Sequence, residues 1–256
     1  MMIVKVPGLN NLGKNDGCRN TGNAVIAELQ NIREMSVYDF EEIHVDNSNL
    51  VEQDKLIYKN SKEMFESQDK VVFLGGDHSI SYGIGRAFLD TFRDDSRLIV
   101  FDAHPDTMPP MKEPTHEEWL RCLVEKGFNS RNILLIGLRK IELEERRYLD
   151  EKGIRYVEVD KIENFEIACD AAMEFSNSGK TYVSFDIDVV DPAFAPSTGY
   201  IEPGGMSSRE ILYFAKRLAK TKGVVAVDLV EIDSVADDKK QNVTVKLGAK
   251  IVNEFL

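Results

Sequence analysis

Eight short apolar runs punctuate the chain, and longer amphipathic stretches separate most of them. The runs are Met2–Val6, Ile43–Val45, Val71–Leu74, Leu98–Phe101, Ile133–Gly137, Tyr156–Val159, Tyr182–Phe185 and Val224–Leu229. Each has the length of a strand, and most are rich in β-branched or aromatic residues. Asn23–Ile32, Ser79–Phe92, Glu142–Lys152, Ser208–Lys220 and Val245–Phe255 carry helical patterns between them. Strands that alternate with helices in this way pair in parallel through helical crossovers. Because the runs are apolar on both sides, helices have to cover both faces. The expected fold class is α/β, a three-layer α-β-α domain with a mostly parallel sheet of about eight strands. No repeat, linker or low-complexity stretch interrupts the pattern, so residues 1–256 are expected to form a single domain.

Two helix starts are marked. Ser207 followed by Glu210 fits a capping box, and Thr115 followed by Glu118 fits the same pattern. The second box places His116 in the first turn of a helix.

Ligands of open parallel sheets bind beyond the carboxyl ends of the strands, so the polar residues that directly follow the runs matter most. They are Gly75-Gly76-Asp77-His78, Asp102-Ala103-His104-Pro105-Asp106, Asp186-Ile187-Asp188 and Glu231. In extended chain, residues i, i+2 and i+4 face one way, which would aim Asp102, His104 and Asp106 at one site, and Asp186 with Asp188 likewise. His78 follows two glycines that permit a sharp turn. One strand-end Asp is ordinarily a turn or cap residue, and one His is ordinarily structural. The combination argues otherwise, because three of the four histidines (His78, His104 and His116) fall on the expected edge. Carboxylates buried this close repel unless cations lie between them. Six ligands exceed what one tetrahedral zinc takes. Four carboxylates and two imidazoles suit two divalent ions, and the oxygen-rich set favours manganese. Paired ions about 3.5–4 Å apart acidify a shared water, so the implied chemistry is hydrolysis.

The net charge of -12 offers no basic excess to neutralise phosphates, which argues against nucleic acid and anionic membranes as partners. A cationic substrate suits that charge. Cys18, Cys122 and Cys169 form no CxxC pair and read as reduced thiols. The apolar start, MMIVKVPG, is too short for a signal-peptide core, and no run approaches the roughly 18 apolar residues of a membrane span. A soluble, cytoplasmic protein is expected.

These motifs resemble the ureohydrolase family, that is, arginase, agmatinase and their relatives. The resemblance rests on Gly75-Gly76-Asp77-His78-Ser79, Phe101-Asp102-Ala103-His104-Pro105-Asp106, Ser184-Phe185-Asp186-Ile187-Asp188 with Asp191-Pro192, Pro203-Gly204-Gly205-Met206 with Arg209-Glu210, and Asp228-Leu229-Val230-Glu231. It is dense from about residue 70 onward. Before that only the glycine-rich loop Gly13 to Gly22, with Gly17 and Asn23, looks similar. The resemblance implies an arginase-like domain holding two Mn2+ ions. One would be bound by His78, Asp102, Asp106 and Asp186, the other by His104, Asp102, Asp186 and Asp188. It further implies that Glu231 binds the guanidinium of a small cationic guanidino substrate. A bridging hydroxide would attack the guanidinium carbon, Asp106 would help stabilise the intermediate, and urea would leave. His116 matches the family's catalytic loop histidine, although Glu117 stands where the family usually has glycine. A neutral His116, kept so by a helix N-terminus, would then shuttle the proton. The family resemblance also implies a homo-oligomer, a trimer or hexamer.

The substrate is the open point. The segment Gly137-Leu138-Arg139-Lys140-Ile141-Glu142 resembles the arginase stretch whose acids meet an α-amino group, but Lys140 replaces one acid and Glu142 alone remains. The loop from Asp106 to His116 is short and lacks the Asn and Ser groups that bind an α-carboxylate in arginase; Lys112 is the one cation there. Glu113 or Glu142 at the distal end would suit an amine, so the expectation leans to agmatine, with arginine next. Guanidinobutyrase, formimidoylglutamase, a deacetylase-like single-zinc enzyme and an inactive binding protein are the alternatives.

Overall fold

The computed structural model describes residues 1–256. Its strands are β1 (Met2–Val6), β2 (Asp39–Glu42), β3 (Val71–Gly75), β4 (Ser96–Phe101), β5 (Ile133–Leu138), β6 (Arg155–Glu158), β7 (Lys180–Asp186) and β8 (Val224–Val230). Its helices are α1 (Thr21–Gln30), α2 (Leu50–Ser67), α3 (Ile80–Phe92), α4 (Trp119–Glu125), α5 (Leu143–Lys152), α6 (Phe165–Asn177), α7 (Ser208–Leu218), α8 (Ser234–Asp238) and α9 (Val243–Phe255). The strands form one sheet in the order β2-β1-β3-β8-β7-β4-β5-β6. Every pairing is parallel.

Strand periodicity sorts the core into two layers. Ile3, Val72, Leu74, Ile99, Phe101, Val183, Phe185, Val227 and Leu229 face one side, where α1, α6, α7 and α9 pack; Phe101 and Phe185 stack there with ring centroids 4.8 Å apart. Val4, Val6, Phe73, Leu98, Val100, Ile133, Leu135 and Tyr182 face the other side, against α2, α3, α4 and α5. The three-layer expectation is met, and the sheet is wholly parallel.

Three local expectations need correction. The second strand is Asp39–Glu42, and Ile43–Val45 lies just beyond it. This is an edge strand with three of its four residues exposed, so acidic residues suffice there and hydropathy does not mark it. The 18-residue α2 is mostly polar outside its buried Ile57, Ser61, Met64 and Phe65 stripe, so it was not among the expected helices. Finally, α4 begins at Trp119, and His116 sits in the turn ahead of it. The Thr115 N–H and hydroxyl do donate to Glu118, but Thr115 Oγ1 accepts from Glu117 and not from Glu118, so this box is incomplete. At Ser207 the capping box is complete.

The sheet order has one consequence for function. Strands β3, β8, β7 and β4 are consecutive neighbours, so the four strand ends singled out in the sequence lie side by side at the centre of the carboxyl edge. Gly76 is essential to that packing, because a Cβ there would lie 1.9 Å from the Gly8 carbonyl oxygen.

Candidate metal centre and substrate cleft

His78 projects from the start of the β3–α3 connection and is fully buried. Its Nδ1 lies 2.9 Å from Asp106 Oδ2, 3.1 Å from Asp102 Oδ2 and 3.3 Å from Asp186 Oδ2. His104 Nδ1 lies 3.0 Å from Asp188 Oδ2 and 3.5 Å from Asp102 Oδ1. Two trios of potential ligands result, His78–Asp102–Asp186 and Asp102–His104–Asp188, and Asp102 belongs to both. All six side chains are therefore brought together.

The loop after β4 achieves this by bending rather than by strand alternation. Asp106 adopts the left-handed region with φ 52°, which few non-glycine residues do. Trp119 Nε1 donates to Asp106 Oδ2 at 2.8 Å, and Glu145 accepts from the Thr107 N–H at 3.0 Å, which pins the turn. On β7, Asp186 closes the strand and its Oδ1 accepts from the Asp188 N–H at 2.8 Å; Asp188 Oδ1 accepts from the Ala103 N–H at 3.0 Å.

Cations fit this donor set. Ser184 Oγ donates to Asp228 Oδ1 at 2.7 Å, so it must accept from His78 Nε2 at 2.9 Å. That leaves the Nδ1 lone pair directed at the carboxylates. His78 Nδ1 and Asp102 Oδ2 are both buried with no hydrogen-bond partner, although they lie close together. A bound cation satisfies both orphans. Titration tells the same story. Burial and the charge of Asp102 push Asp106 up to about 7. Burial, Asp188 and Asp102 hold Asp186 well above the usual carboxylate range. Burial opposes the imidazolium of His104, yet Asp188 and Asp102 raise it to about 12. Asp106, Asp186 and His104 thus take up protons, whereas Asp188, although buried, faces His104 and Arg139 and is held below the usual carboxylate range.

Glu231 follows β8 with φ 65°, again left-handed, and its carboxylate is buried. Oε1 accepts from the His78 N–H at 3.0 Å and meets His116 Nδ1 at 3.2 Å, while Oε2 accepts from Asn15 Nδ2 at 2.6 Å. Burial disfavours the charged His116 ring, but Glu231 and the charge of Asp77 outweigh it and raise its pKa to about 9. The expectation of a histidine kept neutral by a helix N-terminus is thus overturned, since the helix starts three residues later and a carboxylate faces the ring. His116 Nε2 is buried and unpartnered.

A cavity of about 350 Å³ opens over this floor. His78, His104, Asp106, Asp186, Asp188, His116 and Glu231 line its depth, and Glu117, Glu142, Glu145, Glu202, Thr198, Tyr200, Met108 and Lys140 line the walls and mouth. Glu142 reaches the mouth as expected, where Lys140 pairs with it at 3.0 Å. Glu113 does not. It lies on the far side of the loop, beside Asp54 and Pro114, with Lys112 Nζ 4.0 Å from its carboxylate. Residues that sequence reasoning passed over include Ser184, Asp228, Asn15, Trp119, Tyr200 and Glu202. The alternation that selected Asp186 also puts Ser184 on its face, so Ser184 was within reach.

Fold and cluster fit a metal-dependent α/β hydrolase. The family model described as "Arginase family" matches residues 13–256, and the chain belongs to that family. Its members are binuclear metal-dependent hydrolases of C–N bonds in linear amidines. An arginase of Schizosaccharomyces pombe is 32% identical over 221 residues, covering 76% of this chain and 67% of that one. The mitochondrial arginase 1 of Arabidopsis thaliana is 29% identical, covering 89% and 65%. The chain thus spans about two thirds of the length of these curated relatives. Among solved structures, Bacillus subtilis arginase superposes with a TM-score of 0.87 at 22% identity, covering 100% of this chain and 98% of that one. Proclavaminate amidino hydrolase from Streptomyces clavuligerus gives 0.89 at 23%, covering 99% and 89%. At such identities these two establish the fold. No helix is long and apolar enough to cross a membrane.

Proposed function

We propose that this chain, holding two Mn2+ ions, hydrolyses a guanidino compound with a second cationic group at its far end, of the agmatine type, to an amine and urea. The carrying observation is Glu231, a buried carboxylate held by three donors at the floor of the cavity, beside the ligand cluster. A carboxylate so fixed accepts a planar pair of guanidinium N–H groups. The ligands are His78, Asp102, His104, Asp106, Asp186 and Asp188. When bound, the ions supply a nucleophile at neutral pH by acidifying water, and positive charge for the developing oxyanion.

The chain's own residues do the rest. Glu231 orients the guanidinium, and Asp106 lines the same wall and helps hold the amidino nitrogens as positive charge concentrates on them. His116 donates through Nδ1 to Glu231, which leaves Nε2 to carry a proton to the leaving amine nitrogen. Toward the mouth, Glu117, Glu142 and Glu202 oppose one cation, Lys140, which Glu142 already engages. An amine suits that rim better than a lone carboxylate. One observation favours arginine as the second reading: the Lys140–Glu142 pair could trade partners with an α-carboxylate and an α-amino group. A cytoplasmic homo-oligomer, trimeric or hexameric, completes the proposal.

The test compares manganese-loaded full chain on agmatine, arginine, guanidinobutyrate and formiminoglutamate. Urea (formamide from the last) is measured, and the ranking by kcat/KM assigns the substrate. No product from any of the four would sink the proposal.

A further inference from the structure

Glu117 replaces the expected glycine directly after His116, and the structure gives its side chain a partner. Tyr200 Oη donates to Glu117 Oε1 at 2.8 Å. Glu117 stands in the loop after β4 and Tyr200 in the loop after β7, so this bond joins the two walls of the cleft. The Tyr200 ring also packs on His116, with centroids 5.5 Å apart and planes inclined by 38°, and it meets His104 at 5.6 Å nearly edge-on. Burial and the Glu117 carboxylate push the phenol up to about 12, so it stays a donor at neutral pH.

The need for such a brace is visible at His116. The loop that carries it is tied down by backbone contacts, with the Met108 N–H on the Glu117 carbonyl at 3.1 Å and Asn10 Nδ2 on the Pro114 carbonyl at 2.9 Å. The imidazole itself has one polar contact, Nδ1 to Glu231. One hydrogen bond leaves a ring free to swing about it, whereas proton transfer requires Nε2 to stay aimed at the reacting nitrogen. The Tyr200 face blocks that swing, and Glu117 fixes Tyr200.

We infer that Tyr200 and Glu117 form a bridge across the cleft that positions the His116 ring over Glu231. Both are positioning residues that act through His116. The kinetic arm of the inference rests on the function proposed above; the structural arm does not.

The experiment uses full chain loaded with zinc, which is diamagnetic, and follows the ring nitrogens by NMR after 15N-histidine labelling. Four histidines make assignment simple. Tyr200→Phe and Glu117→Ala should displace or broaden the His116 signals and leave those of exposed His44 in place. Glu117→Gln keeps an oxygen acceptor and should recover most of the Glu117→Ala effect. In the manganese enzyme, Tyr200→Phe should lower kcat about ten- to a hundredfold with a smaller change in KM. That loss should vanish when His116→Gln is already present, because residues acting as a unit are not additive. His116 signals unchanged in both Tyr200→Phe and Glu117→Ala would overturn the inference. So would an equal kcat loss from Tyr200→Phe with and without His116. If the wild-type chain turned over no guanidino compound, the proposed function would fall while the NMR arm still decided the bridge.

Discussion

Ser184→Ala should weaken metal binding without touching a ligand. Ser184 Oγ accepts from His78 Nε2 at 2.9 Å and donates to Asp228 Oδ1 at 2.7 Å. After the change Asp228 is still well served, since Oδ1 keeps the Phe185 N–H at 3.2 Å and Oδ2 keeps Ser81 at 2.6 Å together with Tyr182. The loss therefore concentrates on His78. Its Nε2–H becomes a buried donor with no acceptor, and the tautomer that presents Nδ1 to a cation loses its anchor. Removing such an outer partner costs about 10- to 100-fold in metal affinity, or about 1.4–2.7 kcal/mol. Calorimetric titration of chelated protein with manganese reads this directly. Ser61→Ala serves as control, because Ser61 Oγ is buried in α2 with no partner. Equal manganese affinity in Ser184→Ala and wild type, with folding intact, would refute the reasoning.

Further outcomes follow from the same geometry. Glu231→Gln removes the charge from the proposed guanidinium receptor and should lower kcat/KM by about 3 kcal/mol, more than a hundredfold; steady-state kinetics with unchanged manganese content checks it. Asp102→Asn alters the residue common to both trios, so bound metal measured by elemental analysis should fall below two per chain. In chelated protein the raised pKa of His116, about 9 against an ordinary 6.5, contributes stability that is fully present below pH 6.5 and lost as pH rises through about 9. The size is about 3 kcal/mol, and urea melts at pH 6 and pH 10 should show that His116→Gln flattens this part of the slope.

The legible parts of this molecule are those that depend on short-range pattern. Apolar runs mark seven of the eight strands, and the residues after them include all six clustered carboxylates and imidazoles, because a parallel sheet places every strand's carboxyl end on one edge. The strand Asp39–Glu42 escaped because an edge strand needs little hydropathy. His116 was read from a capping pattern whose local chemistry is half realised, and its titration is set by Glu231, 115 residues away in sequence. Tyr200 with Glu117 and Ser184 with Asp228 are likewise pairs across the sheet or across the cleft. Alternation along β7 puts Ser184 on the face of Asp186, but no local pattern pairs it with Asp228 or Tyr200 with Glu117; those pairings exist only once the strand order is known.

The metal-free fold carries a liability that can be used to count ions. Four buried aspartates converge on two imidazoles, and burial together with their mutual repulsion drives Asp186 and Asp106 upward. Cations that bind the folded chain alone stabilise it by RT ln(1 + [M]/Kd) per site, about 2.7 kcal/mol at a hundredfold excess over Kd. Above saturation, each tenfold rise in free metal adds about 1.4 kcal/mol for every ion bound. Two ions therefore predict about 2.8 kcal/mol per decade, and one ion half of that. At about 2–4 °C per kcal/mol for a chain of this size, the melting temperature should climb by roughly 6–11 °C per decade of free manganese. Scanning calorimetry in metal buffers reads the slope without any substrate. A slope near 1.4 kcal/mol per decade would reject a binuclear centre and favour the single-ion, deacetylase-like alternative. Asp188→Ala should bring the wild-type slope to that same half value, because Asp188 belongs to the His104 trio and not to the His78 trio.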